Sequence, residues 1–116
     1  RLVARLQAQF GTPAVLATAT LDAGLQLCAL HQPNCLVLDL TWPDGNGLAW
    51  ISRFRQVSPQ TRIVVFSNHT NPFTRRRCLE SGVAAIVAKN QDFEALLDQV
   101  STHDPAVAPE VMAPLP

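Results

Sequence analysis

Three stretches of this chain are apolar almost throughout rather than at alternate positions: CLVLDL at 35–40, RIVVFS at 62–67 and AAIVAK at 84–89. A strand with one face in water alternates apolar and polar residues, so a strand that does not alternate has both faces covered. Helical patterns separate these runs. Leu48, Ile51, Phe54 and Val57 recur at roughly helical spacing, and Phe93, Leu96, Leu97 and Val100 follow the i, i+3, i+4, i+7 rule. Buried strands alternating with amphipathic helices imply a parallel sheet with helices on both faces, an α/β doubly wound fold.

The rest of the chain extends this order. Val3, Leu6 and Phe10 form a helical stripe closed by Gly11, and AVLATA at 14–19 is a further short strand. Leu21, Leu25 and Cys28 mark a helix that the Gln32-Pro33-Asn34 turn stops. Residues 43–47 read as a loop, Ser58-Pro59 break the next helix, and Asn71-Pro72 read as the cap and first residue of a helix running to about Ser81. Four of the nine prolines fall in 101–116, where no period survives. The expected organisation is one domain over 1–100 and a Pro-rich tail or linker over 101–116. The first residue is Arg rather than Met and already lies inside an amphipathic pattern, so the chain reads as starting partway into a longer polypeptide.

Composition narrows the function classes. With 47% hydrophobic and 16% charged residues, the chain can build a core. Nine basic and nine acidic residues cancel, which leaves no global field for nucleic acid or an anionic membrane. No apolar run is long enough to span a bilayer and no secretory signal opens the chain, so a cytoplasmic setting is expected. Cys28, Cys35 and Cys78 are odd in number and widely spaced, as befits reduced, packed thiols.

Ligands of open α/β sheets sit beyond the carboxyl ends of the strands. There the three apolar runs place Asp39, Ser67 and Lys89, and Lys89 is the only lysine in the chain. A carboxylate can attack phosphorus to give an acyl phosphate, while a hydroxyl and a compact cation can hold the phosphoryl oxygens. Such a reaction normally recruits a divalent cation.

These residues resemble the receiver domains of response regulators in two-component signalling. The resemblance covers about residues 1–100 and is carried by Leu36 through Gly47 (LVLDLTWPDGNG), by Val64-Val65-Phe66-Ser67 and by Gly82 through Lys89. It implies a flavodoxin-like fold, with Asp39 as phospho-acceptor, Ser67 as switch hydroxyl and Lys89 as the phosphate-binding lysine. It further implies Mg2+ held by Asp39 and the backbone carbonyl of Thr41, with Asn68 and His69 bordering the acyl phosphate. A sensor histidine kinase would be the donor and a downstream effector protein or domain the output. Neither nucleic acid nor membrane would be bound through these residues, and chemistry would be limited to the domain's own phosphorylation and dephosphorylation.

Two departures stand out. The family's first strand ends in an acidic pair that holds magnesium, whereas no Asp or Glu precedes Asp22 here. The first strand is thus apparently absent from these residues, together with its acidic pair. A sheet lacking an interior strand would leave backbone unpaired, which points to missing residues or to a homodimer that exchanges an element between chains. The second departure is Ile86, where the family often carries an aromatic switch residue.

Blander readings compete at several positions. Arg75, Arg76 and Arg77 fan around a helix and form no single basic face. Trp42 and Trp50 read as packing residues, and His31, His69 and His103 are too scattered for a ligand motif. Two other functions fit less of the pattern. One is a pseudo-receiver that docks without phosphotransfer, the outcome if the acidic pair is truly missing. The other is a phosphatase of the haloacid dehalogenase type, which would need an Asp where Thr41 stands and a later acidic motif at a strand end. Asp92, Glu94 and Asp98 fall on a predicted helix instead.

Overall fold

The computed structural model describes residues 2–42, 45–68, 71–89, 93–101 and 110–114. In chain order the elements are α1 (Leu2–Phe10), β1 (Val15–Thr18), α2 (Leu21–His31), β2 (Cys35–Leu38) and β3 (Thr41–Trp42). There follow β4 (Gly45–Asn46), α3 (Gly47–Val57), β5 (Arg62–Ser67), α4 (Pro72–Glu80), β6 (Ala85–Ala88), α5 (Phe93–Val100) and β7 (Val111–Pro114). A turn of 3-10 helix (Thr12–Ala14) links α1 to β1.

Five strands form one parallel sheet in the order β1-β7-β2-β5-β6. Side chains of successive strand residues alternate between faces, and the core divides accordingly. Val37, Val64, Phe66, Val87, Val111 and Ala113 meet Val3 and Leu6 of α1 and Leu96, Leu97 and Val100 of α5. On the other face Leu36, Leu38, Ile63, Val65 and Met112 meet Leu21 and Cys28 of α2, Ile51 and Phe54 of α3 and Cys78 of α4. The doubly wound sheet read from the continuous apolar runs is therefore the fold observed. The Arg5 guanidinium lies 3.7 Å from the centre of the Phe93 ring, joining α1 to α5 on their shared face.

Helix ends follow local chemistry. Thr20 caps α2 by accepting from the Ala23 N–H at 3.1 Å, and Asn71 caps α4 through Thr74 N–H at 2.8 Å, with Pro72 in the first turn as expected. Gln32 ends α2 in the left-handed region at φ 48° and returns its side-chain amide to the Cys28 and Ala29 carbonyls. Of the loop expected over 43–47, Gly45–Asn46 pairs antiparallel with Thr41–Trp42 and Gly47 already opens α3.

The C-terminal segment differs most from expectation. Instead of leaving the domain, Val111–Pro114 runs parallel to β1 from Val15↔Val111 to Thr18↔Pro114 and pairs with β2 at Cys35 and Leu36. Val111, Met112 and Ala113 are completely buried. The slot between β1 and β2, where an interior strand seemed to be lacking, is filled by the chain itself. No exchange between copies is needed to close the sheet. Three apolar residues between Pro109 and Pro114 are too few to read as a strand in isolation. Only the two open strand edges and the two half-cores beside them make them one.

Candidate functional site

The three apolar runs end where they were expected to converge. β2 pairs Leu38 with Val65, and β5 pairs Ser67 with Ala88 of β6. Asp39 and Lys89 are the next residues of their strands. The Lys89 Nζ donates to Asp39 Oδ2 in an ion pair. The Asp39 side chain is 17% exposed and that of Lys89 34%, so the pair is reachable from solvent yet partly shielded from it.

Ser67 closes β5 and is buried. The backbone N–H of Lys89 donates to its carbonyl at 3.3 Å, tying the hydroxyl-bearing and ammonium-bearing strand ends together. Asn68 follows as an exposed residue, and His69 lies outside the described residues.

Behind Asp39, the chain is held by a close approach that sequence reasoning did not single out. A Cβ on Gly47 would lie 2.5 Å from the Asp39 carbonyl oxygen and 3.2 Å from the Leu40 Cα. Only a residue without a side chain admits this contact. Gly47 N–H donates to the Leu40 carbonyl at 3.0 Å, and Asn46 caps α3 through Leu48 N–H at 2.9 Å. The start of α3 is thereby locked to the residues flanking Asp39. A glycine at a helix start just after a Pro-Asp-Gly loop was the available signal.

The remaining singled-out residues are structural or peripheral. Cys28, Cys35 and Cys78 are buried free thiols, as expected. Burial pushes Cys28 up to about 11 and Cys35 to about 12, the latter partly offset by Arg62, and it also raises Cys78. Arg75, Arg76 and Arg77 are all exposed on α4, and Arg77 covers the Phe73 ring at 5.7 Å. Trp50 packs against the α2/α3 core with Arg53 stacked 4.2 Å above it. Ile86 is half-buried on β6.

A divalent cation requires several hard oxygen ligands, usually including more than one carboxylate. Among the described residues, no group of three or more His, Cys, Asp or Glu could hold a metal ion. Asp39 with the Thr41 carbonyl falls short of such a set, and Asp39 is already engaged by Lys89. The strand filling the slot beside β2 ends in Ala113-Pro114 and brings no acidic pair. The described residues therefore do not fit the Mg2+ that the resemblance implied. Nor is any described helix long and apolar enough to cross a membrane.

Comparison with known proteins agrees with the fold. The chain is 32% identical over 91 residues to the oxygen regulatory protein NreC of Staphylococcus haemolyticus, covering 76% of this chain and 42% of NreC. It is 32% identical over 76 residues to the nitrate/nitrite response regulator protein NarL of Escherichia coli, covering 66% of this chain and 35% of NarL. It thus spans less than half the length of these curated relatives. A response regulator from Burkholderia pseudomallei, solved with a phosphorylated aspartic acid, a calcium ion and citrate, superposes with a TM-score of 0.75 at 24% identity, covering 87% of this chain and 59% of that one. The family model for the response regulator receiver domain matches residues 1–101. On that match, and with a flavodoxin-like sheet bearing Asp39, Ser67 and Lys89 at one edge, the chain belongs to the response regulator receiver domains of two-component signalling.

Proposed function

We propose that the chain accepts a phosphoryl group on Asp39 from a sensor histidine kinase and uses it to switch a protein-interaction surface read by a downstream effector. The Asp39–Lys89 ion pair, with buried Ser67 on the strand between them, is the observation that supports this reading most. An Asp39 carboxylate oxygen attacks phosphorus as the phosphorus–nitrogen bond of the donor phosphohistidine breaks. The bonding electron pair stays on the imidazole nitrogen, which then takes a proton from water. The charge that develops on the phosphoryl oxygens is met by the Lys89 ammonium and the Ser67 hydroxyl.

Before transfer, Lys89 neutralises a single carboxylate. Afterwards it faces a phosphoryl group of greater charge further from the backbone. That change draws Lys89 and Ser67 toward the new oxygens and shifts the faces around α4 and β6. Mass spectrometry after incubation with acetyl phosphate tests this. One added phosphoryl group, absent from Asp39→Asn, is the expected result; no gain in the folded chain would leave a docking module.

A further inference from the structure

The start of α3 holds a reactive pair that the chemistry at Asp39 does not use. Asn46 precedes Gly47, and of the five asparagines in the chain it alone is followed by glycine. The Gly47 backbone nitrogen is placed in sequence to attack the Asn46 side-chain carbon and close a five-membered ring. Glycine's missing side chain leaves that nitrogen open to approach, and Asn46 is exposed, so water reaches its amide. The fold nevertheless holds the reacting groups apart. Asn46 Oδ1 accepts from Leu48 N–H at 2.9 Å, and Gly47 N–H donates to the Leu40 carbonyl at 3.0 Å. The Asn46 backbone lies at ψ 119°. Tetrahedral geometry then sets the Gly47 nitrogen about 120° from Cβ around the Cα–C bond, whereas the ring needs the two eclipsed. Closing the ring means turning the Gly47 peptide, which breaks its bond to Leu40 and undoes the first turn of α3. Gly47 is buried hard against the Asp39 carbonyl, so the peptide turns only when the start of α3 lifts away from the strand end.

We propose that Asn46 is a modification site, deamidated only in the fraction of molecules whose α3 start has opened. In the opened state the Gly47 nitrogen gives its proton to hydroxide and bonds to the Asn46 side-chain carbon. The carbon–nitrogen bond of the amide breaks, and the leaving nitrogen takes a proton from water and departs as ammonia. Water then opens the ring at either carbonyl, leaving an aspartyl or an isoaspartyl link to Gly47. The two products act differently. An aspartyl residue keeps an oxygen for Leu48 N–H and adds favourable charge at the helix N-terminus. An isoaspartyl link runs through the side chain and adds one backbone atom ahead of Gly47. That draws the glycine out of register with Leu40, so the contact behind Asp39 does not re-form. The amide at Asn46 thus measures the time the chain has spent open at this point, whatever Asp39 accepts.

The test ages the whole chain in mildly alkaline buffer and follows amide loss by mass after proteolysis. In urea Asn46 should lose its amide ahead of Asn34, Asn68 and Asn71, because it alone has an unhindered neighbour. Without urea its loss should be at least about tenfold slower, set by how rarely the start of α3 opens. Ile51→Val trims a fully buried residue of α3 and should speed loss from the folded chain about threefold. If that variant fails to fold, Leu48→Ala, at a half-buried position of the same helix, serves in its place. Equal rates with and without urea would overturn the gate, and so would an unchanged rate in the folded variant. Earlier loss from another asparagine in urea would overturn Asn46 as the site. Asn46→Asp, which makes the aspartyl product directly, should melt within about 2 °C of the parent chain, and the isoaspartyl form purified from aged chain should melt lower. Equal destabilisation of both would overturn the role given to the backbone link.

Discussion

The two rims of the sheet are built on opposite plans. At the rim where the strands begin, neutral hydrogen bonds are dense and run from the surface at Gln32 into a buried pair at Ser58 and Thr61. Thr61 Oγ1 donates to the Pro33 carbonyl at 2.7 Å and shares a close contact with Ser58 Oγ, which reaches Gln32 Oε1 at 3.3 Å. Gln32 Nε2 in turn donates to the Val57 carbonyl at 2.7 Å. Ser58 and Thr61 are 1% and 3% exposed, so the bonds of Thr61 to Ser58 and to the Pro33 carbonyl are made where their loss would strand a polar atom. At the rim where the strands end, one ion pair and one glycine do the organising, and the charges stay partly in water. Register is set by neutral bonds at one rim, and at the other the proposed function needs a charge that can change partners.

Gly47→Ala should break the second rim most severely. The new methyl would meet backbone rather than a yielding side-chain tip, at 2.5 Å from the Asp39 carbonyl oxygen. A loss of about 3 kcal/mol is expected, from overpacking and from displacing the start of α3. In a chain of this size that lowers the thermal midpoint by roughly 10 °C. Urea denaturation measures the stability loss. Phosphoryl uptake on Asp39 should fall as well, because the residue that moves is the proposed acceptor.

Alkali should loosen the opposite end of the slot. Cys28 touches Met112, and Cys35 pairs with Val111. Both thiols have pKa values raised from 9.0, to about 11 and about 12. Above pH 9 the unfolded chain gives up protons that the folded chain retains, so stability is intact below pH 9 and falls as pH rises toward 11–12. At pH 10 each thiol costs about 1.4 kcal/mol, roughly 3 kcal/mol for the pair, before cooperative opening sets in. Hydrogen exchange between pH 8 and 10 should show Val111–Ala113 losing protection ahead of Val64–Phe66. Equal loss in both strands would mean that the slot is no weaker than the rest of the sheet.

Thr61→Val probes the first rim, with an expected loss of about 2 kcal/mol in urea denaturation. The Pro33 carbonyl would lose the Thr61 hydroxyl that donates to it, and the Ser58 hydroxyl would keep only Gln32 Oε1. A loss under about 0.5 kcal/mol would show that water replaces the hydroxyl and that this rim is less closed than its burial implies.

What could be read without coordinates divides along the same line. Asp39, Ser67 and Lys89 were legible because continuous apolar strands announce both their burial and their ends, and the chemistry of a parallel sheet gathers at those ends. The bonds of the other rim were not legible. Gln32 and Ser58 are turn residues whose partners lie about 25 positions away, and no local pattern encodes that pairing. Nor was β7, since VMA between two prolines has the composition of a linker. It becomes a strand only because the slot between β1 and β2 exposes unpaired backbone on both sides. The same illegibility hid the consequence for the cation, because an acidic pair was expected from a first strand whose place β7 takes.

The smallest stability effect should come from the residue with the largest proposed role. Lys89→Met keeps a long apolar stem at the end of β6 and removes the ammonium. Because the Lys89 side chain is 34% exposed, its pair with Asp39 is screened by water, and its loss should change stability by less than about 1 kcal/mol in urea. Phosphoryl uptake on Asp39, read by mass, should fall at least about tenfold, because the charge developing on the phosphoryl oxygens would lose its nearest cation. The two readouts separate a structural lysine from a functional one. A stability loss matching that of Thr61→Val, with uptake unchanged, would place Lys89 with the residues that hold the sheet and leave the strand-end rim without its distinguishing property.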